Sequence, residues 1–313
     1  MFKQRVVLVS LTLYVCLLGS VASSQEIYPQ PGFSSRFGLA KLLNSFTSYQ
    51  FPNPFPPQQD PLSRLEFPID QWFAGLTSVY VAPSWELKGQ IWTNLNRESS
   101  LMMQDSDWDD DAAPNQKTIF SESKCRLNRG MLVDISCSLG ILPNSFLVRP
   151  IGGYRYQHFF FTTHDGFQAA LSGDAFELPG DGIDFRQSFH HGYIGGIYRT
   201  NLGMVSPLLA QTYAEFQADY ALVVAKNEDL HLLRSGDHVT MDNTRGHCWH
   251  ISAAWEFLFT NDVRGRVTGD FKRLVTDGDH RLKNSLFALD FSFGGSHVWS
   301  DQFSLLGEVV CSF

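Results

Sequence analysis

Apolar and polar positions alternate with period two along much of the chain. In residues 84–93, Trp85, Leu87, Gly89 and Ile91 share one face of an extended segment, and Glu86, Lys88 and Gln90 take the other. Residues 130–139 repeat the pattern, with Met131, Val133, Ile135, Cys137 and Leu139 set against Asp134, Ser136 and Ser138. The longest case is 208–224: its even positions include Leu208, Ala210, Phe216, Tyr220, Leu222 and Val224, its odd ones Gln211, Glu215, Gln217 and Asp219. Alternation over about 9–11 residues is what a tilted strand needs to cross a bilayer with an apolar outside and a polar inside. The last residues, Phe303, Leu305, Gly307, Val309, Cys311 and Phe313, carry one apolar or small face to an aromatic carboxyl terminus, as the final strand of outer-membrane barrels does. A soluble β-sandwich also alternates. Strand length and the terminal strand favour a membrane barrel, the closed sheet that leaves no edge in lipid. We expect an all-β, transmembrane antiparallel β-barrel of about ten strands, an even number as single-chain bacterial barrels have.

The connections sort into two classes. Residues 51–61 hold five prolines and cannot belong to a central strand. Residues 103–117 are acidic, 163–182 rich in Gly and Asp, and 274–284 polar. These longer segments are expected as extracellular loops, and 81–84 and 142–145 as short periplasmic turns. At the start, Lys3 and Arg5 precede an apolar stretch at 6–18 and small residues at Ser20, Ala22 and Ser23. That is the form of an export signal over 1–24, too short for a spanning helix of about 20 residues, leaving 25–313 as the barrel with its loops.

Composition adds little except in two respects. The chain has 26 Phe, 10 Tyr and 7 Trp, a set suited to strands and membrane interfaces. Its net charge of −8 and lack of basic runs argue against nucleic acid as a partner. Beyond the signal lie Cys125, Cys137, Cys248 and Cys311, which admit three pairings that spacing does not decide.

Two segments carry candidate chemistry. Asp105 and Asp107 stand at i and i+2, as do Asp229 and His231. On extended chain each pair shares a face. Brought together across a cleft, they would activate a water with neither a metal nor a nucleophilic side chain. Each has a plainer reading. Five acids within 105–111 make a solvated run or a loose cation site, and a lone histidine is commonly a surface residue. The histidines of 247–250 fall on opposite faces, as do His190 and His191, so neither pair ligates a metal jointly. No glycine-rich phosphate loop follows a strand, and no cofactor is expected.

With the acidic segments on alternate long loops of a ten-stranded barrel, the chain resembles the omptin family of outer-membrane proteases. Met103 to Trp108 resembles the family's Met-x-Asp-x-Asp-Trp, Glu122-Ser123-Lys124 its Glu-Ser-Arg, and Gly153-Tyr154 its Gly-Tyr. Tyr193-Ile194-Gly195 is similar to its Tyr-Ile-Gly, and Asp229-Leu230-His231 to its Asp-x-His. The separation of 124 positions from Asp105 to Asp229 is close to the family's. The resemblance covers residues 80–313. It implies an outer-membrane endopeptidase, exported through a cleaved signal and monomeric, that cuts extracellular proteins or peptides. Asp229 and His231 would be its dyad, and Asp105 and Asp107 would face the same water.

Omptins cut between basic residues. The acidic pocket position before the dyad is here Asn227, the first-strand position falls near Tyr49 or Gln50, and the position beside Glu122 is Ser121. Glu228 would compensate only if turned inward, so dibasic specificity is not expected. The resemblance also implies that activity requires lipopolysaccharide, an outer-membrane lipid held on the outer wall near Tyr154 and Arg186. Tyr154 equally suits an interfacial aromatic girdle. The rival reading is a catalytically silent barrel, a porin or an adhesin.

Overall fold

A computed structural model describes residues 31–312 except 57, 141–147, 205, 207–208, 210–211 and 259–262. The proposed export signal and the turn at 142–145 lie outside the described residues. Thirteen strands follow in order: β1 (Gly32–Leu42), β2 (Phe46–Phe51), β3 (Ser63–Pro68), β4 (Trp72–Val81), β5 (Trp85–Asn94), β6 (Met103–Asp107), β7 (Ile119–Leu139), β8 (Val148–Ala170), β9 (Ala175–Asn201), β10 (Thr212–His231), β11 (His238–Leu258), β12 (Val263–Asn284) and β13 (Leu289–Ser312). All pair antiparallel in one sheet that closes through β1–β13 and β7–β8. The first six strands form three interrupted staves: β1 with β2, β4 with β3, and β5 with β6. The ring therefore has about ten staves, an antiparallel β-barrel as the alternation predicts.

The lower wall is apolar outside, with Phe37, Leu87, Ile135, Ile194, Leu222, Trp249, Ile251 and Leu305 all exposed. Higher up, outward positions turn polar. On β10, Tyr220, Leu222 and Val224 give way to Lys226 and Glu228, which marks where lipid ends. Above that level the outward positions turn polar, as many lumenal ones already are, so alternation fades while strand pairing continues. This explains three corrections. Residues 163–182 are not a loop but the hairpin of β8 and β9, turning at 171–174. Residues 274–284 are the upper part of β12, and Met103–Asp107 is a strand.

The lumen is filled. At the bottom, Glu86 binds Arg199 at 2.7 Å and Arg149 at 3.1 Å, while Glu215 pairs with Arg199 and binds Arg266 at 2.6 Å. Above, Arg155 binds Asp134 at 2.9 Å, and His250 bridges Asp219 and Asp270 at 2.5 Å each. Higher still, Phe67, Phe159, Phe161, Phe185 and Phe189 are fully buried, Phe67 stacking on Phe185 at 4.2 Å between centroids. Each such side chain contributes about 1.5–3 kcal/mol, and together they seal the barrel beneath its extracellular end. Cys125, Cys137 and Cys248 are unpaired.

Trp92 enters the lumen over a gap left by facing Gly38 and Gly75. A Cβ on Gly75 would come within 2.2 Å of the indole and 2.6 Å of the Ile91 carbonyl. We expect Gly75→Val to destabilise the barrel by about 1–3 kcal/mol or more through overpacking. A lower midpoint for loss of the compact, heat-modifiable band in gel electrophoresis would show it; an unchanged midpoint would mean the indole moves freely.

Candidate active site

Tyr49, Leu65, Asp105 and Ser121 lie on one rung across β2, β3, β6 and β7. The alternation of β10 continues above the lipid level, so Asn227 and Asp229 point into the lumen from across the ring. Asp229 is 1% exposed. Its Oδ1 has no hydrogen-bond partner among the described residues and lies 3.4 Å from Nε2 of His231. Its Oδ2 accepts a hydrogen bond from the hydroxyl of buried Tyr49. Asp105 Oδ1 is also buried without a partner among the described residues. Asp105 and His231 line one cavity of about 200 Å³ with Arg234, Ser121, Thr163 and His164, which has room for water.

Electrostatics sets the protonation of these groups. Burial, followed by the charge of Asp107, pushes Asp105 well above the usual carboxylate range, against the opposing pull of Arg234. Asp107 is raised by burial, opposed by a hydrogen bond from Ser63 and by Arg234. A proton is thus retained on this couple far above the normal carboxyl range. Burial lowers His231 well below the ordinary imidazole value, with Arg234 and His238 adding to it, so the ring is neutral at neutral pH. Burial raises Asp229 to about 7, an effect moderated by the Tyr49 hydrogen bond and reinforced by nearby Asp242.

The residues expected at the substrate and lipid surfaces fall in different places. Asn227 is lumenal and its Nδ2 donates to Asp242 Oδ2 at 3.1 Å. Tyr49 touches Asp229 rather than lining a separate pocket. Glu228 faces outward and binds Arg186 at 2.8 Å on the outer wall, so it cannot line the cleft. The physical reason is parity: an even position on β10 faces away from the lumen. Tyr154 is also outside, its hydroxyl 2.5 Å from His190 Nδ1.

Two residues escaped the sequence reading. Asp242 stands directly opposite Asn227 on β11 and restores a carboxylate near the neutral position. Its Oδ1 takes His280 at 2.8 Å and Ser296 at 2.7 Å, and its Oδ2 takes Asn227. Alternation within Thr240-x-Asp242 carried that signal, but the cross-strand register did not. Arg234, on the turn after His231, was hidden because a turn residue has no face to read.

A model of the Omptin family matches residues 58–276. No curated protein matches the sequence. Among solved structures, the outer membrane protease OmpT from Escherichia coli is similar in fold, with 17% identity and a TM-score of 0.75, covering 93% of this chain and 100% of that one. The beta domain of the Bordetella autotransporter BrkA is more distant, at 11% identity and a TM-score of 0.37, covering 91% of this chain and 100% of that one.

Proposed function

The chain belongs to the omptin family, and from that premise we propose that it is an outer-membrane endopeptidase acting on extracellular proteins or peptides. The carrying observation is the single cavity into which both His231 and Asp105 open, with Asp229 against the imidazole. Neutral His231 takes a proton from a water as its oxygen adds to the scissile carbonyl. Asp229, once ionised, stabilises the resulting imidazolium. The proton held by Asp105 and Asp107 hydrogen-bonds the oxygen of the tetrahedral centre, where charge develops. His231 then returns its proton to the departing amine as the C–N bond breaks. On the outer wall, lipopolysaccharide would sit near Tyr154 and Arg186 and hold the rim in its working shape.

The test is to refold the chain with and without lipopolysaccharide and profile cleavage of a diverse peptide library by mass spectrometry. Defined cut sites that require the lipid support the reading; no cleavage in either condition contradicts it. The porin reading predicts ion conductance in planar bilayers, which the aromatic seal argues against.

Because Asp229 must ionise, the rate is expected to rise with pH through about 7. Tyr49→Phe removes a hydrogen bond that favours the ionised form, so the rise should move to higher pH. A shift of one unit means about a tenfold lower rate on the acid side of the midpoint. An unmoved pH–rate profile would separate Tyr49 from the dyad.

A further inference from the structure

One cation at the cavity is held by no carboxylate. Around this rim, Lys124 lies 3.7 Å from Asp165, Arg126 binds Asp181 at 2.6 Å, and Arg186 binds Glu228 at 2.8 Å. His164 is gripped by Asp165 at 3.0 Å and Glu98 at 3.2 Å. Arg234 has no ion pair among the described residues. Its side-chain hydrogen bond is to an imidazole, with Nη1 3.4 Å from His238 Nε2. That imidazole is held below its ordinary pKa first by burial and then by Arg234, so it does not satisfy the charge.

The rest of the cavity suits the same ligand. Ser121, Ser123, Thr163 and Gln168 offer hydroxyl and amide donors. Its acid, Asp105, shares a proton with Asp107, and neither carboxylate lies within ion-pair distance of Arg234, which acts on them only from further off. The carboxylate across the lumen, Asp242, already accepts from His280, Ser296 and Asn227. A lysine or arginine side chain entering here would meet a like charge, and the carboxylates within reach, Asp105 and Asp107, are the pair that the hydrolysis itself uses; an aspartate or glutamate would meet a guanidinium that no ion pair holds, the group best matched to it.

We propose that this cavity is a side-chain pocket beside the scissile bond, and that Arg234 makes it select a substrate with an acidic residue there. The inference rests on the endopeptidase reading above. Its test uses fluorogenic peptides identical except for Glu, Gln or Lys at one position next to the cleaved bond, with refolded wild type, Arg234→Gln and Arg234→Glu. The readout is the Glu-to-Lys ratio of kcat/KM, which does not depend on how much protein refolds. Wild type should favour Glu by about tenfold or more, roughly 1.4 kcal/mol. Arg234→Gln should bring the ratio towards one, and Arg234→Glu should invert it. A wild-type preference for Lys overturns the proposal. So does an equal loss on all three peptides in Arg234→Glu, which would make Arg234 a counter-ion of Asp105 and Asp107 alone. Failure of wild type to cleave any peptide, including the diverse library, would instead remove the endopeptidase reading beneath it.

Discussion

Alanine at position 231 should leave an intact barrel whose kcat is about 10²–10⁴-fold lower, the usual contribution of a positioned general base. Water at neutral pH is a poor nucleophile, and among the described residues the imidazole against Asp229 is that of His231. His238 lies 5.1 Å away ring to ring, edge-on, and does not contact that carboxylate. It is therefore badly placed to substitute. Because His231 ends β10, and its ring makes no hydrogen bond that closes the ladder, its loss should not disturb folding. Gel mobility of the folded band and kcat on one peptide should accordingly separate: mobility unchanged, turnover lost. Turnover within about threefold of wild type would exclude His231 as the base.

Asp229→Asn should act on activity and stability in opposite directions. Turnover should fall by a factor on the order of 10³–10⁴, because an amide cannot stabilise the imidazolium. Stability at pH 8 should rise. The folded-state pKa of Asp229 is raised by burial to about 7 from an ordinary value of 3.8. A raised carboxyl pKa contributes stability that is fully present below the unfolded value and lost as pH climbs through the folded one. At pH 8 the native protein therefore carries a buried charge that asparagine would remove, while at pH 4–5 the two proteins should be nearly equal. Thermal midpoints of the folded band at pH 5 and pH 8 check this. A variant less stable than wild type at pH 8 would mean that the ionised form is favoured by contacts stronger than its burial.

The barrel was legible because lipid outside and polar neighbours inside force a side-chain period of two. Glu86, Lys88 and Gln90 against Trp85, Leu87 and Ile91 could be read without coordinates. The same parity, carried along β10, set Asp229 inward and would have set Glu228 outward had it been applied to that residue. Alternation failed where its cause ends. Above the lipid, residues 274–284 carry Asp277, Asp279 and Arg281 outward and Thr276 and His280 inward, and residues 163–170 are broken by register shifts, so both look like loops and are strands. The pairing of Asp229 with Tyr49 was not legible, since it joins positions 180 residues apart across the lumen. Asp242 was missed for a related reason. Its importance comes from standing opposite Asn227 in a register that only the hairpin turn at 232–237 fixes. Arg234 belongs to that turn, where side-chain direction follows from local backbone geometry rather than from sequence period.

The central claim is that two distant segments act on one water. Its most direct test is a double-mutant cycle on kcat with Asp105→Asn, His231→Ala and the pair together. Groups that serve one transition state as a unit lose it together, so the effects should be strongly non-additive. The double variant should then be no more than about tenfold slower than the worse single one. A double variant slowed by the full product of the two single effects would contradict the account, because the aspartate and the histidine would then be acting on separate events.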